Sequence, residues 1–247
     1  MYVLITGASS GIGKELAHLY AKNGDNLILV ARSQEKLTEL AKDLKPNGIE
    51  VLVKPYDLSS LDNCKKLIDE IKGYEIRVFI NNAGYGNLGF FQDTDLDLEI
   101  NMLNLNILAV HVLTKLYLQN FTAGDVVNIS SMAAFLPTPT FATYAASKSY
   151  VNYLSRAVDY ELRRRKSSMR VLTVNPGPVK TNFNERAKAN INRGMDVKKC
   201  AQKIYKGIKK RKAFIIPGFQ MKLAYLFTKI TPINWLLKAS YHIQQSK

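Results

Sequence analysis

Short runs rich in Val, Ile and Leu recur along the chain, at Val3–Thr6, Asn26–Ala31, Glu50–Tyr56, Val78–Asn81, Asp125–Ile129, Arg170–Asn175 and Ala213–Ile216. Each is nearly continuous in hydrophobicity and lacks strict alternation, the pattern of strands covered by helices on both faces. Between them, Gly13–Asn23, Gln34–Leu44, Leu61–Lys72, Leu98–Leu118, Tyr144–Arg165 and Val197–Lys209 carry helical spacing or composition. Four-residue repeats such as Leu16/Tyr20 and Leu37/Ala41 suit packing on a sheet. This succession predicts βαβ units and an α/β fold, a doubly wound, seven-stranded parallel sheet with helices on both faces. No fixed-period repeat and no Pro/Gly/Ser-rich linker breaks the pattern. Residues 1–218 read as one domain, and 219–247 as a basic, apolar helical extension packed on it.

Composition is compatible with that picture: 247 residues at 47% hydrophobic content fill one sizeable core. The net charge of +15 adds something the pattern does not show, because it is concentrated. From Val197 to Lys247 there are twelve Lys or Arg and no Asp or Glu, leaving 23 basic against 20 acidic residues, or +3, in the rest. Cys64 and Cys200 lie far apart with no paired-ligand spacing, so neither a disulfide framework nor a zinc site is suggested and a reducing cytoplasm fits. Met1-Tyr2-Val3-Leu4-Ile5 enters a strand directly, without the basic leader and cleavage site of a secretory signal.

The first strand runs into Thr6-Gly7-Ala8-Ser9-Ser10-Gly11-Ile12-Gly13, which opens the first helix. In that context glycines allow a tight turn and let a pyrophosphate approach the backbone, where helix N-terminal amides favour the anion. The second strand ends at Ala31-Arg32, where a cofactor with a free ribose 2′-hydroxyl would ordinarily meet an Asp or Glu. Arg32 instead suits a 2′-phosphate and points to NADP(H), the alternative being a solvated strand-end charge paired with Glu35.

Tyr144-Ala145-Ala146-Ser147-Lys148 puts a phenol and an ammonium four residues apart on one helix face. Phenols ionise near pH ~10, so acid–base work near neutrality calls for a nearby cation, although such pairs are more often a partly buried ring beside a snorkelling lysine. Asn81-Asn82-Ala83-Gly84 ends the fourth strand and Ser130-Ser131 the fifth, both where open α/β sheets bind ligands. Taken together these motifs resemble the short-chain dehydrogenase/reductase family, of the small classical type with a Rossmann-like fold, over almost the whole length up to about Gly218.

The resemblance implies roles residue by residue. Gly7, Gly11 and Gly13, with Ser9, Ser10 and Ile12 between them, match the cofactor turn, and Arg32 matches the basic residue of NADP-preferring members. Asp57 matches an adenine-contacting aspartate, though alone it would pass for a helix cap. Asn82, Ala83 and Gly84 match a motif that supports the sheet and lines the cofactor. Pro176-Gly177-Pro178-Val179-Lys180-Thr181 resembles the turn beside the nicotinamide, with Val179 and Thr181 placed to contact its carboxamide. Asn106, Ser131, Tyr144 and Lys148 match the catalytic tetrad, Ser131 rather than Ser130 because it stands thirteen residues before the tyrosine. The implied chemistry is hydride transfer between NADP(H) and a carbonyl or secondary alcohol, favoured in the reducing direction. Ser131 would orient the carbonyl, Tyr144 donate the proton, Lys148 lower the tyrosine pKa and hold the ribose, and Asn106 resupply the proton through water. The alternative is a dinucleotide-binding regulator or scaffold without appreciable turnover.

Phe90, Met132, Phe135, Phe141 and the segment 183–195 suggest an apolar substrate cleft. In the tail, Leu223, Leu226, Phe227, Ile230, Trp235, Leu236 and Leu237 are apolar, but Lys222, Lys229 and Lys238 interrupt any membrane-spanning length and Pro232 divides the segment into two helices. These helices are expected to cover the cleft or a subunit interface, with peripheral contact to an anionic membrane as the second reading and nucleic acid the third. The resemblance further implies a homodimer or homotetramer through the helices around Leu98–Leu118 and Tyr144–Arg165.

Overall fold

The computed structural model describes residues 1–181, 183 and 194–245. Seven strands, β1 (Tyr2–Thr6), β2 (Asn26–Ala31), β3 (Val51–Pro55), β4 (Ile76–Asn81), β5 (Asp125–Ile129), β6 (Val171–Val174) and β7 (Phe214–Ile215), pair in parallel throughout, in the order β3-β2-β1-β4-β5-β6-β7. Chain order therefore runs outward in one direction from β1 and in the other from β4, which opens a crevice at the carboxyl ends of these two strands. All seven strands predicted from hydrophobicity form, their ends within two residues of those expected.

The helices are α1 (Gly11–Lys22), α2 (Gln34–Leu44), α3 (Leu61–Ile71), α4 (Leu96–Leu103), α5 (Val110–Asn120), α6 (Ala142–Arg164), α7 (Val197–Lys209), α8 (Phe219–Ile230) and α9 (Ile233–Gln245). Leu16, Tyr20, Leu37, Leu40, Cys200 and Ile204 pack α1, α2 and α7 on one face of the sheet. Cys64, Leu67, Ile68, Leu113 and Tyr117 pack α3 and α5 on the other, joined by Val158 and Leu162 of α6. The two cysteines are thus buried free thiols on opposite sides of the sheet, and burial pushes each up to about 12. The near-continuous apolar strands are explained by this double cover: Leu4, Ile5, Ile28, Leu29 and Phe79 are all fully buried.

Two departures from the predicted helices bear on the site. The first helix starts at Gly11 rather than Gly13, so its first turn lies inside the glycine motif. The helix expected over Leu98–Leu118 is interrupted: α4 and α5 are joined by a π-helical turn, Asn104–Ala109, which carries Asn106. The whole stretch Leu96–Asn120 is long and apolar enough to cross a membrane by length and composition, with a hydropathy of 1.3. In the fold Met102, Ala109, Val110, Leu113 and Tyr117 of this stretch are buried, whereas Leu96, Leu98, Ile100 and Leu108 are exposed.

Candidate active site

The carboxyl ends of β1 and β4 open into a cavity of about 770 Å³. On its β1 side the glycine motif makes the close approach its composition foretold. Gly7 and Gly11 hold φ of 64° and 57°, the left-handed region in which a side chain is strained. A Cβ on Gly7 would lie 2.9 Å from Cα of Ala83, and one on Gly13 would lie 2.4 Å from the Gly7 carbonyl oxygen. Asn82 ties the two strand ends together, its Nδ2 donating to the carbonyls of Thr6 (3.0 Å) and Gly7 (3.2 Å), while the Thr6 hydroxyl accepts from the amides of Asn82 and Ala83, each at 3.0 Å. The Ser10 N-cap makes no side-chain bond to the first turn of α1, and that turn carries no acidic residue. Amides and helix dipole together therefore face the cavity as a cradle for an anion.

At the end of β2, Arg32 and Lys36 both line the cavity and both are exposed. Arg32 makes no ion pair with Glu35 among the described residues. Lys36 was not anticipated; it follows Arg32 by four residues, and Ser33 caps α2 by accepting from its amide at 3.3 Å. Asp57 lines the same end and also behaves as a local cap, its Oδ1 accepting from the amide (3.0 Å) and hydroxyl (2.8 Å) of Ser59.

The chemical groups gather on the opposite wall. Tyr144 and Lys148 lie one turn apart on α6, 7% and 5% exposed, with the Lys148 Nζ 5.7 Å from the centre of the Tyr144 ring. Phe141 stacks on that ring at 4.3 Å and Phe183 leans on it at 5.5 Å. Burial pushes the phenol up to about 12, opposed by its hydrogen bond with Ser131. Burial also pulls the Lys148 ammonium down to about 8, and its Nζ donates to the Ile129 carbonyl at 3.1 Å. The downward tuning of the tyrosine by Lys148, expected from their spacing, is therefore not the balance found. Desolvation dominates for both groups, and Tyr144 is held as a protonated acid at neutral pH.

The two serines divide as the thirteen-residue spacing suggested. Ser130 is spent on the fold, its hydroxyl donating to the Lys148 carbonyl at 2.7 Å, whereas Ser131 bonds the phenol and caps the short turn after β5 by accepting from the Ala133 amide at 3.1 Å. Asn106 is fully buried and does not line the cavity. It clamps the loop after β4 instead, its Nδ2 donating to the Tyr85 carbonyl (2.8 Å) and its Oδ1 accepting from the Tyr85 amide (3.2 Å). A Cβ on Gly84 would lie 2.7 Å from the Asn106 Oδ1 and 3.3 Å from the Lys148 Nζ, so this glycine lets both approach the loop. Gly13 likewise sits behind the wall. Every other residue expected in the cofactor or catalytic set, including Ser9, Ser10, Ile12, Pro176, Gly177, Val179 and Thr181, lines this cavity.

The apolar cleft is only partly made of the expected residues. Met132, Phe141 and Phe183 line it, but Phe90 is half exposed outside it and Phe135 packs against Phe214 and Tyr225. Residues 184–193 of the anticipated segment lie outside the described residues. The remaining wall comes from the tail: Met221, Ala224, Phe227 and Thr228 of α8 and Leu236, Ala239 and Ser240 of α9. A Cβ on Gly177 would lie 2.3 Å from the Met221 Sδ, so α8 sits directly on the Pro-Gly turn. The inner faces of α8 and α9 thus lie against the cleft.

A doubly wound sheet with a glycine turn at its crevice and a buried Tyr/Lys pair facing it defines a class, and the comparisons agree. The family model for short chain dehydrogenases matches residues 1–192. The 11-beta-hydroxysteroid dehydrogenase-like 2 of Arabidopsis thaliana is 30% identical over 95% of this chain and 80% of its own. The very-long-chain 3-oxoacyl-CoA reductase of Anas platyrhynchos is 36% identical over 66% of this chain and 55% of its own, so the match spans about half of that relative. Among solved structures, a short-chain dehydrogenase from Sphingobium yanoikuyae in complex with NADPH superposes with a TM-score of 0.82 at 30% identity over 88% of each chain. The chain belongs to the short-chain dehydrogenase family of oxidoreductases acting on CH–OH and C=O groups.

Proposed function

We propose that this protein reduces the carbonyl of an apolar ketone, aldehyde or acyl substrate with NADPH, and that Ser131, Tyr144 and Lys148 carry the proton chemistry. The observation that carries the reading is the meeting of these three side chains with the glycine turn and Arg32 in one cavity. Its volume and left-handed glycines suit a dinucleotide, the α1 amides would take the pyrophosphate, and Arg32 with Lys36 would take a 2′-phosphate. When bound, the nicotinamide supplies the hydride to the carbonyl carbon, or accepts it in reverse. Ser131 orients the carbonyl oxygen, and Tyr144 gives that oxygen its phenolic proton as negative charge develops there. Lys148, charged below about pH 8, places an ammonium beside the phenolate left behind and the ribose, where it offsets the cost of ionising a buried tyrosine.

Asn106 positions the Tyr85 loop from the π-helical turn and, in this reading, passes a proton toward Lys148 through water. The NADPH complex of the Sphingobium relative supports the cofactor, and the hydroxysteroid and 3-oxoacyl names of the others support a bulky or long apolar carbonyl compound. The C-terminal helices belong to the same catalytic unit, since they complete the cleft wall. Exposed Leu96, Ile100 and Leu108 on α4 and the π turn, with Tyr150, Tyr153 and Tyr160 on α6, suit self-association through these helices, which sedimentation velocity reads directly as mass.

The test is an NADPH oxidation screen over bulky ketones, 3-oxoacyl thioesters and aldehydes, together with the dissociation constants of both cofactors. NADPH-dependent turnover of at least one class is expected. Arg32→Ala should weaken NADPH by about 2 kcal/mol, roughly thirtyfold, and leave NADH unchanged. Absence of turnover across the panel, or tighter binding of NADH by the wild type, contradicts the proposal.

A further inference from the structure

The side of the tail that turns away from the cleft carries an apolar stripe that stays exposed among the described residues. On α8, Phe219, Leu223, Leu226, Phe227 and Ile230 follow one another at spacings of four, three, one and three residues, a single helical face, and are 72%, 42%, 56%, 62% and 78% exposed. The opposite face of the same helix, Met221, Ala224 and Thr228, lines the cavity. Exposed Ile233 and Trp235 extend the stripe into the first turn of α9. A soluble surface seldom leaves so many large apolar side chains contiguous without a partner.

What surrounds the stripe says what the partner is. Lys222 and Lys229 run along one edge of it, one turn-pair apart. Next to it lies a second cavity, of about 360 Å³, lined by Lys203, Lys206, Lys210, Lys212 and Lys222 together with Phe219, the first residue of the stripe. None of these five lysines pairs with a carboxylate among the described residues, and no Asp or Glu follows Asp196 in the sequence. A second copy meeting this face about a two-fold axis would set lysines against lysines. An anionic lipid surface complements both parts, with acyl chains for the stripe and phosphate headgroups for the lysine groove.

We propose that α8 and the start of α9 dock this protein on anionic membranes, the stripe inserting at the headgroup boundary and the lysine groove holding lipid phosphates. Docking does not depend on the hydride-transfer reading. Phe227 belongs to both the stripe and the cavity wall, so docking sets one rim of the cleft at the lipid surface.

Trp235 is the single tryptophan of the chain and stands 73% exposed beside the stripe, so its emission reports insertion without a label. The full-length protein is mixed with phosphatidylcholine vesicles with or without phosphatidylglycerol, and sedimentation is measured alongside Trp235 emission. The expected result is cosedimentation and a blue shift with the anionic vesicles only, weakened by salt. Ile230→Glu should abolish both signals. Replacing Lys206, Lys210 and Lys212 together by Ala should weaken binding on the order of a hundredfold, from roughly fivefold per lysine at the surface. Circular dichroism and NADPH binding verify that these variants fold. No cosedimentation of the wild type, binding indifferent to phosphatidylglycerol, or self-association in the absence of lipid that Ile230→Glu abolishes would each overturn the proposal.

Discussion

Lys148 and Tyr144 move in opposite directions from one cause, since burial disfavours the charged form of each: the ammonium comes down to about 8 and the phenol goes up to about 12. At neutral pH both are protonated, which suits a proton donor backed by a cation. The first of the two to change as pH rises is the lysine. We therefore expect kcat/KM for carbonyl reduction to fall as pH rises through about 8, while the phenol itself is still protonated. A profile flat from about pH 6 to about pH 10 would show that the Lys148 charge plays no part in the free enzyme. At this scale the sequence was informative where a role depends on neighbours along one helix or on motif spacing: Tyr144, Lys148 and Ser131 meet as expected. It was uninformative about the sign of the tyrosine shift, because desolvation depends on how the ring is packed, by neighbouring Phe141 and by Phe183 from a distant part of the chain.

At the scale of elements, the site rests on two local features, the glycine turn into α1 and the π-helical turn at Asn104–Ala109. The first was legible, because a strand, three glycines and a helix make a recognisable order, although α1 starts two residues earlier than its hydrophobic spacing suggested. Gly13 shows what the turn demands. A Cβ there would lie 2.4 Å from the Gly7 carbonyl oxygen and 2.6 Å from the Asn82 Nδ2, so neither the β1–α1 turn nor the β4 end could keep its place. Gly13→Ala should cost about 1–3 kcal/mol of stability, read as a lower urea midpoint, and weaken NADPH binding with it. Unchanged midpoint and affinity would mean that the backbone relaxes without consequence. The π-helical turn was not legible: widening six residues by one position leaves the apolar pattern of Leu98–Leu118 almost unaltered. Asn106 was found by resemblance, and its clamp on both backbone groups of Tyr85 became visible only once the loop after β4 and the π-helical turn were brought together.

For the whole molecule, the seven strands and their two covering layers were read from the strands' continuous hydrophobicity, whereas their order in the sheet emerged only in the fold. The tail was half read. Its helices and the break at Pro232 followed from local sequence, but its division into a cleft-lining face and a bare face could not, since both are apolar. The core also predicts how the fold responds to alkali. Cys64, Cys200 and Tyr144 are each raised to about 12 and Tyr20 and Tyr117 higher still, all chiefly by burial, so the folded chain keeps protons that the unfolded chain releases from about pH 9–10 upward. Each such group lowers stability by about 1.4 kcal/mol per pH unit while it titrates only in the unfolded state. Lys148, with its folded pKa depressed, works in the other direction, raising stability with pH between about 8 and its ordinary 10.5. Five groups outweigh one, so the urea midpoint should fall steeply above about pH 10, and a midpoint constant to about pH 12 would contradict the burial of these side chains.

In the proposed NADPH-dependent reduction the Tyr144 phenol supplies the proton. The most direct test of this is the turnover of Tyr144→Phe on a carbonyl compound reduced by the wild type, with the NADPH dissociation constant measured on the same preparation. The phenylalanine keeps the packing against Phe141 and removes only the hydroxyl. We expect kcat to fall about 10²–10⁴-fold with cofactor affinity unchanged. Turnover within a few-fold of the wild type would contradict the mechanism.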